Sequence, residues 1–307
     1  IFFATVQHLH RLTGRSRMAA GYRHPDVCQT AGIFLQGEMM SWKTAYRSFY
    51  YQGAPEPEDM DLPYPETALL TIDVQNTYLE ISKDPQERER WAPFQQRMRD
   101  IVIPRTRDLQ GRFRAAGIDV LHARIACLLE SGRDRSLSQK KPGWNYLLLP
   151  KDRPDSQIVP ELAPKKGEIV VTKTTDSALT GTNLRLVLNN MGIKNLVLTG
   201  IFTDQCVSST VRSLADESFN VVVVEDCCAA GTEELHDREL EILNMIYCQV
   251  LSSLRIFLQE EQMGNRPLKV LTSFRALFSW AISFSRSLDA LCLTTAISMA
   301  DRSSWMS

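Results

Sequence analysis

The sequence is short of the features that mark several specialised classes of protein. Lys and Arg total 35 against 36 Asp and Glu, a formal net charge of −1, so the chain has no general attraction to nucleic acid or to an anionic membrane. It shows no internal repeat or heptad pattern, and the apolar stretch 276–284 is too short to span a bilayer. We therefore expect a small-molecule partner and neither a nucleic acid nor a membrane.

Cysteine and histidine are also used sparingly. The seven cysteines are not accompanied by a secretory signal pattern, which favours a reducing compartment, the cytoplasm, over a disulfide framework. The adjacent Cys227 and Cys228 are interpreted as packed residues at a strand end. No histidine lies between His24 and His122, so this region lacks the histidine cluster of a metal site.

The N-terminal residues have a composition of their own. Residues 1–25 contain Arg and His but no Asp or Glu, a bias that matches organellar transit peptides. A truncated or mistranslated gene model explains the start at Ile1 equally well, with Met18 or Met39 as the true start. Organellar targeting is therefore an alternative to the cytoplasm.

Composition also divides the chain into three parts. The stretch 51–65 is rich in Pro, Glu and Asp, which is typical of an extended linker, so residues 1–61 are expected to be an extension and linker. Residues 259–307 form a C-terminal tail, Ser-rich over 264–307, that we expect to pack poorly. One folded domain is predicted between them, over 62–258.

Apolar, β-branched runs alternate with helical stretches through this domain. Such continuous runs are typical of strands buried on both faces of a parallel sheet. The helical stretches 94–115, 182–191 and 207–215 have amphipathic spacing, and Pro104 is expected to kink the first or start a new helix. The alternation predicts a three-layer α/β/α sandwich with a doubly wound, mainly parallel sheet of about six strands. The predicted strands are 68–74, 118–123, 169–172, 196–199, 221–224 and a short one over 249–252.

Three polar residues stand where predicted strands end. Asp73 lies near the end of the first run, Lys173 closes the third, and Cys206 follows the fourth, just before a helical stretch. Chemistry in a parallel sheet gathers at the carboxyl ends of the strands, so we expect these side chains to meet. A helix N-terminus favours thiolate over thiol, which predicts a nucleophilic Cys206, although a buried structural cysteine fits the local pattern equally well.

The residues around these positions carry a family resemblance. In order and spacing across 62–255 they resemble the isochorismatase-like cysteine hydrolases, and the segments 132–137, 203–206 and 225–229 resemble most closely the biuret hydrolase branch. The resemblance implies a homo-oligomer, dimer or tetramer, that hydrolyses a small amide or urea without a cofactor. The motifs are Asp73-x-Gln75-Asn76, Lys173-x-x-x-Ser177-Ala178, Thr182-Asn183-Leu184, Gly200-x-x-Thr203-Asp204-x-Cys206-Val207 and Val224-Glu225-Asp226.

The three convergent residues suggest a mechanism. Cys206 would attack a carbonyl carbon and form a thioester, and Asp73 would take the thiol proton and pass it to the leaving nitrogen. Lys173 would keep Asp73 ionised by lowering its pKa. The backbone N–H groups of Phe202 and Cys206 are candidates for the oxyanion hole, and the resemblance implies a cis peptide bond between Ile201 and Phe202.

A small, flat, polar substrate such as biuret needs polar partners in its pocket. The span 127–166 is long and irregular, as functional loops often are, and its basic part 132–141 is either a solvated surface loop or a lid. Phe202 is bulkier than the aliphatic residue usual there in the resembling family, and its ring would either narrow the acyl pocket or admit a different substrate. The candidate substrate-binding residues are Asn76, Arg133, Arg135, Thr182, Gln205 and Gln249.

Several alternatives remain at this point. His122, within a strand, is interpreted as a core histidine, and His236 as solvent-facing, which makes a Cys–His protease a weak hypothesis. A nicotinamidase would need a metal held by Asp and His, whereas we predict a site without metal. Ureidoacrylate amidohydrolase, isochorismatase, which cleaves a vinyl ether, and a non-catalytic redox-responsive thiol protein are the other candidates.

Overall fold

The structure is a computed structural model, and it describes the middle of the chain. The described residues are 46–58, 60–143, 145–256 and the backbone of 268–269. The expected leader over 1–25 and nearly all of the expected tail over 259–307 lie outside them. Among the described residues, no helix is long and apolar enough to cross a membrane.

A six-stranded sheet forms the middle of the domain, and all of its strand pairs are parallel. The fold class predicted from the sequence is confirmed. The strand order is β3-β2-β1-β4-β5-β6. The strands are β1 (Thr67–Ile72), β2 (Asp119–Ile125), β3 (Ile169–Lys173), β4 (Asn195–Ile201), β5 (Asn220–Ala229) and β6 (Gln249–Leu251), with short antiparallel pairs at Asp61–Leu62 with Leu268–Lys269 and at Lys140–Lys141 with Asn145–Tyr146.

Helices cover both faces of this sheet. On one face α4, α5 and α6 pack against Ala68, Leu70 and Ile72 of β1. On the other, α3 packs Leu109 and Phe113 against apolar side chains of β1, β4 and β5. The helices are α1 (Asn76–Leu79), α2 (Pro85–Arg97), α3 (Ile103–Ala115), α4 (Leu184–Asn190), α5 (Ser208–Asp216) and α6 (Glu233–Leu243).

The helical stretch before β2 is longer than its pattern indicated. It begins at Pro85, where the Asp84 side chain caps it by accepting a hydrogen bond from Gln86 N at 2.9 Å. A π-helical turn, Met98–Val102, joins α2 to α3. Pro104 lies in the first turn of α3, where a missing backbone N–H is tolerated. Pro104 therefore stands at the start of a new helix, as expected.

The strand order reverses between β1 and β4. From β1 the chain builds outward to β2 and β3, and from β4 it builds the other way. A crevice forms at such a switch point, outside the carboxyl ends of the strands. Gly200 lets β4 approach β1 there, because a Cβ atom on Gly200 would lie 2.0 Å from Ile72 O and its φ is +123°. The residues that follow β1 and β4 are thus brought to the same crevice.

Candidate active site

Asp73, Lys173 and Cys206 come together at this crevice. Lys173 Nζ lies 2.7 Å from Asp73 Oδ2, and both groups lie near enough to Cys206 to act electrostatically on the pKa of its thiol. Asp73 is 1% exposed, Lys173 0% and Cys206 5%. Three buried groups that can exchange a proton therefore form one connected cluster.

The backbone around Asp73 is held tightly. Asp73 has a φ of +54°, the left-handed region that side chains other than Gly, Asn and Asp rarely adopt. Gln75, fully buried, fixes the segment that follows: its Nε2 donates to Ile125 O and Ser156 O, and its Oε1 accepts from Ile125 N. This clamp joins the ends of β1 and β2 and fixes where the Asp73 carboxyl group points.

Burial controls the protonation of this cluster. It raises the pKa of Asp73, and the neighbouring Lys173 only partly offsets it. Burial is the main cause that raises the pKa of the Cys206 thiol well above its usual value, and the charge of the Asp73 carboxylate is the next largest. The expectation that the helix N-terminus keeps Cys206 as a thiolate is therefore wrong for the resting site, since the thiol lies in a buried π turn. A raised pKa also makes Asp73 a better proton acceptor than an ordinary aspartate.

The raised pKa of Asp73 predicts the pH dependence of activity. Because protonated Asp73 persists to higher pH than an ordinary aspartic acid, the base is lost as pH falls through that raised value. We expect the acid limb of kcat/KM to lie above the range of about pH 4 where an unperturbed aspartate titrates. A profile that stays flat down to that range would contradict this assignment.

The segment from Phe202 to Val207 carries the candidate oxyanion donors. The Ile201–Phe202 peptide bond is cis, as the resemblance implies. Phe202 O accepts hydrogen bonds from Gln205 N and Val207 N, at 3.0 and 3.2 Å. These bonds close the turn that carries Cys206. The role of the Phe202 and Cys206 N–H groups as oxyanion donors stays a prediction.

Phe202 belongs to an aromatic cluster. Its ring centroid lies 5.3 Å from that of Tyr78, 5.1 Å from Phe94 and 6.1 Å from Trp91. The four rings help to line a cavity of about 720 Å³. The lining does not include the three convergent residues, so this cavity does not contain the thiol.

These observations make a comparison with known proteins informative. Residues 67–253 match the family model described as the isochorismatase domain. The chain belongs to the isochorismatase family. Its six-stranded parallel sheet and the crevice at the carboxyl edge agree with that assignment, and the chain is a hydrolase of this family.

Other members of the isochorismatase family match most of the domain. The chain is 33% identical over 191 residues to ureidoacrylate amidohydrolase RutB of Pseudomonas syringae pv. syringae, covering 58% of this chain and 76% of that protein. It is 29% identical to the uncharacterized isochorismatase family protein YecD of Escherichia coli O157:H7, covering 62% and 93%. A solved isochorismatase family protein from Burkholderia thailandensis superposes with a TM-score of 0.52 at 28% identity, covering 63% and 95%.

An acidic neighbour of the thiol, and a polar residue beside that acid, were not foreseen from the sequence. Asp176 Oδ1 lies 3.9 Å from Cys206 Sγ, and Gln139 Nε2 lies 3.5 Å from the same oxygen. Asp176 is only three residues beyond Lys173, a spacing that could have drawn attention to it. Gln139 belongs to the loop 127–166, far from Asp176 along the chain, so only the folded structure shows that the two side chains are neighbours.

The basic part of that loop has a definite structure. Arg135 is buried, and its guanidinium donates hydrogen bonds to the carbonyls of Gly132, Gln139 and Leu147. Arg133 is exposed. These hydrogen bonds of Arg135 stabilise the backbone of the loop and are not directed to the thiol. The prediction that Arg135 binds the substrate is therefore wrong.

Four other candidate substrate residues are placed as follows. Asn76 Nδ2 donates to Pro154 O, and Thr182 Oγ1 donates to Ala178 O while accepting from Leu184 N, so both side chains fix local backbone. Gln205 is exposed in the turn before Cys206. Gln249 pairs with Val222 in the first half of β5 and donates to Glu58 O, so the structure does not bring it to the crevice.

Both described histidines have hydrogen-bond partners other than the thiol. His122 is buried with Nε2 3.1 Å from Glu168 Oε2, as a core histidine was expected to be. His236 is 1% exposed, which corrects the expectation that it faces solvent. Its Nδ1 lies 2.7 Å from Thr203 Oγ1, and burial lowers its pKa to about 3. His236 therefore packs as a neutral ring beneath the turn that carries Cys206.

Proposed function

We propose that this isochorismatase-family hydrolase cleaves a carbon–nitrogen bond of a small urea-type amide through a thioester on Cys206, and that biuret is its substrate. The observation that carries the proposal is the buried cluster of Asp73, Lys173 and Cys206 at the switch point. A thiol beside a carboxylate and an ammonium group has the parts needed for nucleophilic acyl transfer.

The reaction would begin with proton transfer from the Cys206 thiol to Asp73. The thiolate attacks the carbonyl carbon, and the backbone N–H groups of Phe202 and Cys206 bind the oxyanion. Asp73 then gives its proton to the leaving nitrogen, and ammonia departs. Asp73 next takes a proton from the water that attacks the thioester and passes this proton to the departing thiolate, so that allophanate is released and the thiol and the carboxylate are restored. Lys173 balances the charge of Asp73 whenever it is ionised.

Two observations support a urea-type substrate. The segments 132–137, 203–206 and 225–229 resemble biuret hydrolase, and the relatives named ureidoacrylate amidohydrolase act, by that name, on a ureide. Biuret and ureidoacrylate both contain a terminal ureido group, so the same attack on a carbonyl serves either. Ureidoacrylate is accordingly the second candidate substrate.

A substrate panel tests the proposal. We expect ammonia release from biuret, with kcat/KM at least about 100-fold above that for nicotinamide, because a site built to hydrogen-bond a ureide along its length rejects a molecule whose pyridine ring replaces the second ureide group. Prolonged chelation should leave this activity unchanged. Loss of activity on chelation, with rescue by zinc or iron and a preference for nicotinamide, would move the protein to the nicotinamidases.

A further inference from the structure

A second carboxyl group faces the thiol, and the mechanism above does not use it. Asp176 Oδ1 lies 3.9 Å from Cys206 Sγ. Asp176 is half-buried, so it can meet both the thiol and a molecule that enters the crevice. The reaction needs only one proton carrier, and Asp73 already fills that role.

The position of Asp176 is fixed by the loop that packs over it. Ser136 N donates to Thr174 O at 3.1 Å, which ties the loop to the segment after β3. Gln139, 2% exposed, places its Nε2 3.5 Å from Asp176 Oδ1. The carboxyl group is thus held beside the thiol by elements from two parts of the chain.

The charges around the thiol do not balance. Asp73, Lys173 and Asp176 all act on Cys206, and Lys173 is already paired with Asp73 at 2.7 Å. Lys173 Nζ donates in addition to Thr175 O at 3.1 Å. With Asp73 and Lys173 cancelling each other, Asp176 leaves the reacting end of the crevice with an excess of negative charge.

We propose that Asp176 is a specificity-determining residue, which admits neutral or cationic amides rich in N–H donors and disfavours substrates that carry a carboxylate. The inference rests on the proposed function for its substrate class. A carboxylate only accepts hydrogen bonds, so it matches the NH₂ groups of a ureide. It repels an anion that must sit within a few ångströms in a poorly solvated crevice.

This inference separates the two candidate substrates. Biuret is neutral and presents NH₂ groups at both ends, whereas ureidoacrylate carries a carboxylate. We therefore expect this chain to favour biuret over ureidoacrylate, and we expect Asp176 to cause a measurable part of that preference.

The test compares Asp176→Asn with the parent and with Asp108→Asn, a control that removes the same charge from an exposed position of α3. One readout is the ratio of kcat/KM for biuret and ureidoacrylate. The other is the ratio of alkylation rates of Cys206 by iodoacetamide and iodoacetate, followed by mass spectrometry of the Cys206 peptide. In both reagents the sulfur displaces iodide from a CH₂ group, and they differ only in the neutral amide or the carboxylate.

In Asp176→Asn we expect both ratios to shift about tenfold in favour of the anionic compound, ureidoacrylate or iodoacetate, because the substitution removes one nearby negative charge. Asp108→Asn should leave both unchanged. Ratios in Asp176→Asn within twofold of the parent would overturn the inference. Because alkylation needs no turnover, a shifted alkylation ratio without ureide hydrolysis would support the role of Asp176 and overturn the proposed function. If neither alkylation nor hydrolysis occurs in any variant, both fail.

Discussion

Cys206→Ala is expected to lower kcat for ureide hydrolysis by at least about 1,000-fold, because removal of the nucleophile leaves only substrate binding and the oxyanion donors to assist the reaction. The fold should survive, since the change removes a single sulfur atom from the core. Cys206→Ser should be nearly as inactive, because a hydroxyl has a much higher pKa than a thiol and Asp73 is a weak base for it. Steady-state ammonia release and thermal unfolding measure the two effects.

Cys248→Ala is the matched control for this substitution. Cys248 is 6% exposed and belongs to the same core cluster as Cys206, but its Sγ donates to Leu243 O, away from the crevice. The Cys248→Ala variant should lose about as much stability as Cys206→Ala and keep the activity of the parent. Near-parental activity in Cys206→Ala would point instead to a reaction in which water attacks directly, as in vinyl ether hydrolysis.

The strands of this fold could be predicted because a parallel sheet buried on both faces needs continuous apolar runs. The exception is instructive. The sequence predicted a strand over 221–224, but β5 continues to Ala229. The polar Glu225 and Asp226 conceal this extension, since their carboxylates are paired with Tyr46 and Arg105. Partners so distant along the chain leave no local signal.

The three convergent residues could be predicted for a related reason. Each stands at or shortly after the end of a recognisable strand, and parallel strands place their carboxyl ends at one edge. Asp176, Gln139 and His236 could not be assigned in this way. Asp176 lies in the segment that follows a strand, Gln139 in an irregular loop and His236 within a helix, so only the folded chain shows which of them approach the thiol and which pack beneath it.

The protonation of the site was the least predictable property. A cysteine before a helix predicts a thiolate, yet in the structure burial and the Asp73 carboxyl group act against ionisation. Depth in the fold and the distance between charges decide a pKa, and neither can be read from spacing along the chain. The same reasoning makes the buried ion pair of Asp73 and Lys173 the most sensitive feature of the site.

Asp73→Asn is expected to abolish activity and also to destabilise the fold by about 3–5 kcal/mol, because it leaves the fully buried ammonium of Lys173 without its partner. Chemical denaturation measures the loss of stability. The control is Glu66→Gln, which breaks the pair between Glu66 and Lys194. That pair has the same 2.7 Å separation, but its side chains are 39% and 66% exposed, so the expected cost is about 1 kcal/mol or less.

The double variant Asp73→Asn with Lys173→Met separates the two roles of the pair. Replacing the ammonium by an apolar side chain of similar length removes the unpaired charge, so stability should recover by most of what Asp73→Asn lost. Activity should not recover, because neither the base nor the cation beside it is restored. Recovery of activity along with stability would show that Asp73 serves only to hold the fold, and the proton would then have to move by another route. Failure of the double variant to regain stability would instead mean that the carboxylate is needed for more than its charge.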